Sequence, residues 1–171
     1  MRVALTAALS FDTSWEGLLA LVTGHELHLI DDDTRRDPDA LVDYVARERV
    51  DLLDLTPSFA QEAVAAGLLA DPRHRPRVLM LGGEAASRPL WTDLRAARDT
   101  EGHNYYGPTE CTVDTLGCRV DSADVPVIGK PWPTRGRTCS TPGCGPRRSA
   151  SPASCTSPGS RWRADTTACP A

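Results

Sequence analysis

The sequence contains no apolar run near the roughly 18 residues that a membrane span needs, and residues 1–10 are too short and too weakly basic for a secretory signal. A cytoplasmic location is expected. None of the 6 cysteines forms a Cys-x-x-Cys pair followed by histidines, and Cys139, Cys144, Cys155 and Cys169 fall near the end, so a zinc or disulfide framework is set aside. Val, Ile, Leu, Met, Phe and Tyr are all missing from residues 134–171, where Trp162 is the single large apolar side chain. That stretch cannot offset the entropy of ordering itself by burying apolar area, which predicts a disordered tail behind a folded body at 1–133. Charge divides at the same place. The body holds 13 Lys plus Arg against 22 Asp plus Glu, the tail 6 against 1. An acidic body argues against nucleic acid as a partner, and nothing points to a membrane.

Within the body, short apolar runs alternate with amphipathic ones. Strands are expected at 3–9, 27–30, 50–55, 77–81 and 103–106, with helices at 15–22, 38–48, from Pro57 to near Gly67, and at 89–98. Pro57 sits where a first helical turn tolerates proline, and Gly67 where a helix ends. A β-α order of this kind favours an α/β fold, a mostly parallel sheet with flanking helices. Ligands of such sheets sit beyond the carboxyl ends of the strands, which singles out Asp12, Thr56, Gly82 to Glu84, and Gly107 to Glu110.

The segment Asn104-Tyr105-Tyr106-Gly107-Pro108-Thr109-Glu110 carries the most chemistry. An aromatic ring at a strand end can stack on a flat base, a following turn with free N–H groups can seat a phosphate, and a carboxylate beside it can share a magnesium ion with that phosphate. Proline and glutamate in a first turn are also ordinary capping chemistry. Asp12 could likewise cap a helix beginning near Ser14, Gly82-Gly83 could be only a turn, and Asn104 could tie down a loop. The pair in His25-Glu26-Leu27-His28 lacks zinc-helix spacing and reads as structural, Gly129-Lys130-Pro131 is not a phosphate loop, and Asp31-Asp32-Asp33 reads as a solvated loop.

Tyr106-Gly107-Pro108-Thr109-Glu110 resembles the nucleotide-binding signature of the AMP-forming adenylation enzymes, specifically the amino-acid-activating domains of nonribosomal peptide synthetases. Phe11-Asp12-Thr13-Ser14-Trp15-Glu16, Leu55-Thr56-Pro57-Ser58, Leu81-Gly82-Gly83-Glu84 and Val127-Ile128-Gly129-Lys130-Pro131 agree with that family in order and spacing. The resemblance implies a partial N-terminal domain of the AMP-forming adenylating-enzyme fold. It also implies ATP-dependent activation of an amino acid: the substrate carboxylate attacks the α-phosphorus, pyrophosphate leaves, and an aminoacyl adenylate remains.

By motif match, Asp12 would bind the α-ammonium group of the amino acid, and Gly82, Gly83 and Glu84 would line the adenine. Asn104 and Tyr106 would flank the adenine ring, with Gly107 in the turn between them and the phosphates. Thr109 would touch the α-phosphate and Glu110 would hold Mg2+. The side-chain pocket would comprise Thr13, Trp15, Asp54, Met80, Gly82, Tyr105, Val113 and Asp114, in a chain one residue shorter than the commoner family pattern between Phe11 and Gly24. Two acids there, Asp54 and Asp114, favour a polar or cationic amino acid. In an intact synthetase the partner would be a carrier-protein domain bearing phosphopantetheine.

The family normally carries an upstream Ser/Thr/Gly-rich phosphate loop and a C-terminal domain with a catalytic lysine. Neither is in this sequence, so little activity is expected of the chain alone, and a noncatalytic nucleotide- or amino-acid-binding module or a structural remnant is the alternative. The tail fits a lost base at the Pro133 codon: Ala153-Ser154-Cys155-Thr156-Ser157-Pro158-Gly159 is the out-of-frame reading of codons for the Gly-Glu-Leu-Tyr-Ile-Ala-Gly run that the family carries next. Residues 134–171 are therefore expected to be frameshifted.

Overall fold

The structure, a computed structural model, describes residues 1–111 and 113–131. The expectations of a frameshifted, disordered tail and of a boundary at 133/134 lie outside the described residues. Among these there are seven strands, β1 (Arg2–Leu5), β2 (Glu26–Leu29), β3 (Leu52–Leu55), β4 (Val78–Leu81), β5 (Glu101–Tyr106), β6 (Leu116–Arg119) and β7 (Lys130–Pro131). The helices are α1 (Ser14–Val22), α2 (Pro38–Glu48), α3 (Pro57–Ala65) and α4 (Arg88–Ala96). One sheet runs in the order β2-β1-β3-β4-β5-β6-β7, parallel through β5 and antiparallel for the last two strands. Among the described residues no helix is long and apolar enough to cross a membrane.

The period-2 alternation of a strand decides which side chains meet which helices. Ala4, Leu53, Leu55, Leu79 and Leu81 share one face and are buried with Leu41, Val45, Ala60, Ala63, Leu90, Trp91 and Leu94 from α2, α3 and α4. A fully buried side chain as large as Trp91 or Leu41 contributes about 2–3 kcal/mol to folding. Val3, Leu5, Leu52, Asp54 and Met80 share the opposite face, which α1 partly covers: a Cβ on Gly17 would lie 3.1 Å from Leu5 Cδ1 and 3.3 Å from Leu27 Cδ1.

Local chemistry fixes the helix ends on the closed face. Asp37 accepts hydrogen bonds from the Asp39 and Ala40 backbone N–H groups ahead of Pro38, and Ser87 Oγ accepts one from Leu90 N at 3.2 Å ahead of Pro89. Trp91 Nε1 donates to the Ala123 carbonyl at 2.9 Å, tying α4 to the stretch between β6 and β7.

Three sequence expectations need correction. The first strand stops at Leu5 rather than residue 9, because Thr6 Oγ1 turns to the Asp54 carbonyl and a turn follows, closed by the Phe11 N–H on the Ala8 carbonyl at 2.9 Å. The strand expected at 103–106 starts earlier, at Glu101, paired with Val78 on β4. Strands β6 and β7 were not anticipated, and they give the parallel sheet an antiparallel edge.

Candidate nucleotide and amino-acid site

The carboxyl ends of β1, β3, β4 and β5 open onto one cavity of about 510 Å3. The loop before α1 contributes Phe11, Asp12 and Thr13, and α1 contributes Glu16. Asp54 and Thr56 come from the end of β3, and Gly82 and Gly83 from beyond β4. Tyr105, Gly107, Thr109, Val113 and Asp114 come from β5 and the segment after it. Eleven of the residues singled out by sequence are thus brought to one wall: Asp12, Thr13, Asp54, Thr56, Gly82, Gly83, Tyr105, Gly107, Thr109, Val113 and Asp114.

Gly107 is the reason the last two are there. A Cβ at this position would run into the Val113 carbonyl oxygen, so only glycine lets the chain fold back against the end of β5. The Thr115 N–H donates to the Tyr106 carbonyl at 2.9 Å and holds the return. Val113 pays for the tight path with φ of 66°, a left-handed conformation rare for a β-branched residue.

Other expected residues lie elsewhere. Glu84 Oε2 accepts the Ser58 backbone N–H at 3.1 Å, at the start of α3. Met80 lines a second, apolar groove of about 310 Å3 between α1 and the sheet, next to Asp54 and Glu16. Asn104 is buried on the α4 side of β5 and its Nδ2 donates to the Val127 carbonyl at 2.8 Å, which ties down a loop; its Oδ1 has no hydrogen-bond partner among the described residues. Tyr106 shares that side of the strand and is 53% exposed, and Glu110 is exposed in the short helical turn Thr109–Cys111. Asp12 Oδ1 accepts the Thr13 N–H at 2.9 Å, at the entry to α1.

Trp15, assigned to the side-chain pocket by motif match, is 62% exposed and absent from the cavity wall. Glu16 stands there instead. A helix brings residues four apart onto one face, and α1 starts at Ser14, so the position one turn beyond Asp12 is 16. The spacing from Asp12 was the available signal; alignment to the longer family pattern hid it. Arg35 and Arg36 were also missed; both reach the cavity from the turn before α2 while pairing with Asp32 at 2.9 and 3.8 Å.

The acids change one another's protonation. Glu16 is pushed up to about 8, first by burial, then by the Asp54 charge and by hydrogen bonding to Asp114. Asp54 rises to about 6 through burial and the charge of Asp114. Asp114 is also raised, mainly by burial, with Asp12 adding to it. Burial and these same carboxylates lift the Tyr105 phenol to about 12. Burial and the two acidic neighbours thus favour the protonated form of the Glu16 carboxyl. Of the two histidines before the loop, His28 bonds the Tyr44 hydroxyl and Glu26 at 3.1 Å each, and His25 Nδ1 lies 3.4 Å from the Met1 amino group. Asp31 accepts the Thr34 N–H at 2.9 Å within its own loop.

Known proteins place this arrangement in context. The family model for AMP-binding enzymes matches residues 1–137. The chain is 39% identical over 131 residues to vanchrobactin synthetase VabF of Vibrio anguillarum, a match covering 77% of this chain and 5% of that protein. It is 36% identical over 132 residues to the AMB antimetabolite synthetase AmbE of Pseudomonas aeruginosa, covering 76% of this chain and 6% of the relative. Among solved structures, the Vibrio cholerae adenylation domain AlmE in complex with glycyl-adenosine-5'-phosphate is similar in fold, with a TM-score of 0.64 at 23% identity over 76% of this chain and 25% of that one. The chain thus spans about a twentieth of the length of the first curated relatives it matches.

Proposed function

The chain belongs to the AMP-binding enzyme family, with the adenylation domains of nonribosomal peptide synthetases, and from that membership we propose that its cavity holds an amino acid and ATP for aminoacyl-adenylate formation. The observation that carries the reading is the convergence of Asp12, Gly82, Gly83, Tyr105, Thr109 and Asp114 on one cavity at the strand ends.

Asp12 would take the α-ammonium group through a charge-assisted hydrogen bond, which orients the substrate carboxylate toward the α-phosphorus. Gly82 and Gly83 present backbone without side chains, and Gly83 has φ of 82°, so a flat base can approach the end of β4 closely. Tyr106, exposed at the end of β5, supplies a ring for stacking and Thr109 a hydroxyl for the α-phosphate. Asn104 holds the strand end in place through the Val127 carbonyl.

Glu110 fits a magnesium site of the kind in which one carboxylate shares the ion with phosphate oxygens, because it is exposed beside Thr109 in the same turn. Magnesium bound there would neutralise phosphate charge. A carrier-protein domain bearing phosphopantetheine is the proposed acceptor, and the division into a body at 1–133 and a separate tail is proposed with it.

Calorimetric titration of the 171-residue chain with ATP and magnesium tests the reading. Binding is expected, and Thr109→Val together with Glu110→Ala should weaken it by about tenfold or more, the loss of a hydroxyl contact and a shared cation. No nucleotide binding, or binding unaffected by both changes, would overturn it.

A further inference from the structure

We propose that His103, held by Glu101, is a positioning residue that fixes the Tyr105 side chain as a rigid wall of the amino-acid pocket. The proposal rests on reading the cavity as an amino-acid site, and adds to that site two side chains that stand outside its wall and that no motif match assigned.

Alternation along β5 puts Glu101, His103 and Tyr105 on one face of the sheet, the face that Asp54 and Met80 share and that α1 partly covers. Residues two apart on a strand are about 6.6 Å from each other. The His103 and Tyr105 ring centroids are only 5.8 Å apart, with their planes within 10° of parallel, so the rings lean together. The Tyr105 hydroxyl lies 3.3 Å from His103 Nδ1, and His103 Nε2 lies 2.7 Å from Glu101 Oε1. Directly across from His103 on β6, Arg119 reaches the same Glu101 oxygen with Nη1 at 3.3 Å, while its Nη2 pairs with Asp121 at 2.8 Å.

The polarity of this chain of contacts follows from its far end. An ionised carboxylate only accepts hydrogen bonds, so Glu101 fixes the ring proton on Nε2. Nδ1 keeps a lone pair, and the Tyr105 hydroxyl donates to it. Arg119 holds the carboxylate from the neighbouring strand. Each link orients the next, and of these residues Tyr105 alone lines the cavity. A ring pinned by stacking and by its hydroxyl has little rotamer freedom left to lose when a ligand packs against it; an untethered ring would have to be ordered at each binding event. The nucleotide contacts proposed above, at Gly82, Gly83, Tyr106 and Thr109, do not run through this relay. A staple that only held β5 in the sheet would serve both ligands alike, whereas a positioning role acts on the amino acid alone.

The test takes two readouts from the 171-residue chain. Nitrogen-15 NMR of histidine-labelled protein in mildly alkaline buffer should show His103, identified by its loss in His103→Asn, protonated at Nε2 alone, and Tyr105→Phe should move its Nδ1 resonance. A ring protonated at Nδ1, or a resonance that ignores Tyr105→Phe, would overturn the proposal. Calorimetry with a panel of the common protein amino acids then selects the tightest binder, with ATP and magnesium as the control ligand. His103→Leu should weaken amino-acid binding about three- to tenfold, the cost of ordering one side chain, and leave ATP binding unchanged. His103→Asn, whose Oδ1 can stand where Nδ1 stood and accept from the hydroxyl, should recover part of the loss. Circular dichroism checks folding, and if His103→Leu does not fold, Glu101→Ala at its more exposed position should show the same split in smaller measure. Equal amino-acid affinity in His103→Leu, or a parallel loss of both ligands, would overturn the positioning role and leave the proposed function standing. Binding of ATP alone by the unsubstituted chain would strike the amino-acid half of that reading, and this proposal with it.

Discussion

The two faces of the sheet are built on different terms. On one, α2, α3 and α4 seal Leu53, Leu55, Leu79 and Leu81 from water, and each helix has a proline at its first or second position behind a polar residue, Asp37, Thr56 or Ser87. On the other, among the described residues, α1 is the helix that lies against the sheet, with Leu19, Leu21 and Val22 still exposed, and β3 carries Asp54 where its opposite face carries leucines. The closed face supplies stability and the half-open face supplies the site. Acids that weaken the second face are tolerated because the first is sealed by leucines and Trp91.

Substitutions separate the two. Trp91→Ala on the closed face should cost about 3–5 kcal/mol by denaturant unfolding, through loss of a fully buried ring and its hydrogen bond to Ala123. Gly107→Ala should cost about 1–3 kcal/mol and weaken ligand binding together with stability, since the displaced segment carries Val113 and Asp114. If binding survives that change, the return path does not position the site.

Acidity gives a finer contrast. Glu16 and Asp54 hold protons more tightly folded than unfolded, so folding takes protons up at these sites. Their contribution is fully present below about pH 4 and is lost as pH rises toward 8. The melting temperature should fall over that window, and Glu16→Gln should flatten the fall. An unchanged profile in Glu16→Gln would contradict the upward shift at Glu16. Smallest of all, Ser87→Ala should cost about 0.5–1 kcal/mol through the lost cap of α4, with ligand binding unaffected.

Much of the closed face was legible in the sequence because its signals are local. Leu41, Val42 and Val45 recur at helical spacing, and the helix at 38–48 has the expected bounds. The run 77–81 forms a strand from Val78. The antiparallel edge was not legible: Leu116-Gly117-Cys118-Arg119 has neither alternation nor an apolar run, and it pairs only because β5 offers it an edge. Sequence reasoning found eleven residues of the cavity wall, yet motif matching chose Trp15 over Glu16, because a one-residue difference in length changes which side chain faces inward one turn after Asp12. Asn104 was read as a ligand contact and as a loop tether. Its bond to Val127 supports the tether directly.

The most direct measurement of whether nucleotide sits at the strand ends is photolabelling of the 171-residue chain with 8-azidoadenosine triphosphate and magnesium, followed by trypsin digestion and mass spectrometry. Label is expected in peptides 78–95 and 99–119, which carry Gly82, Gly83, Tyr106 and Thr109, and excess ATP should abolish it. Label confined to the α2 peptide 37–47, or label that excess ATP does not displace, would contradict the account.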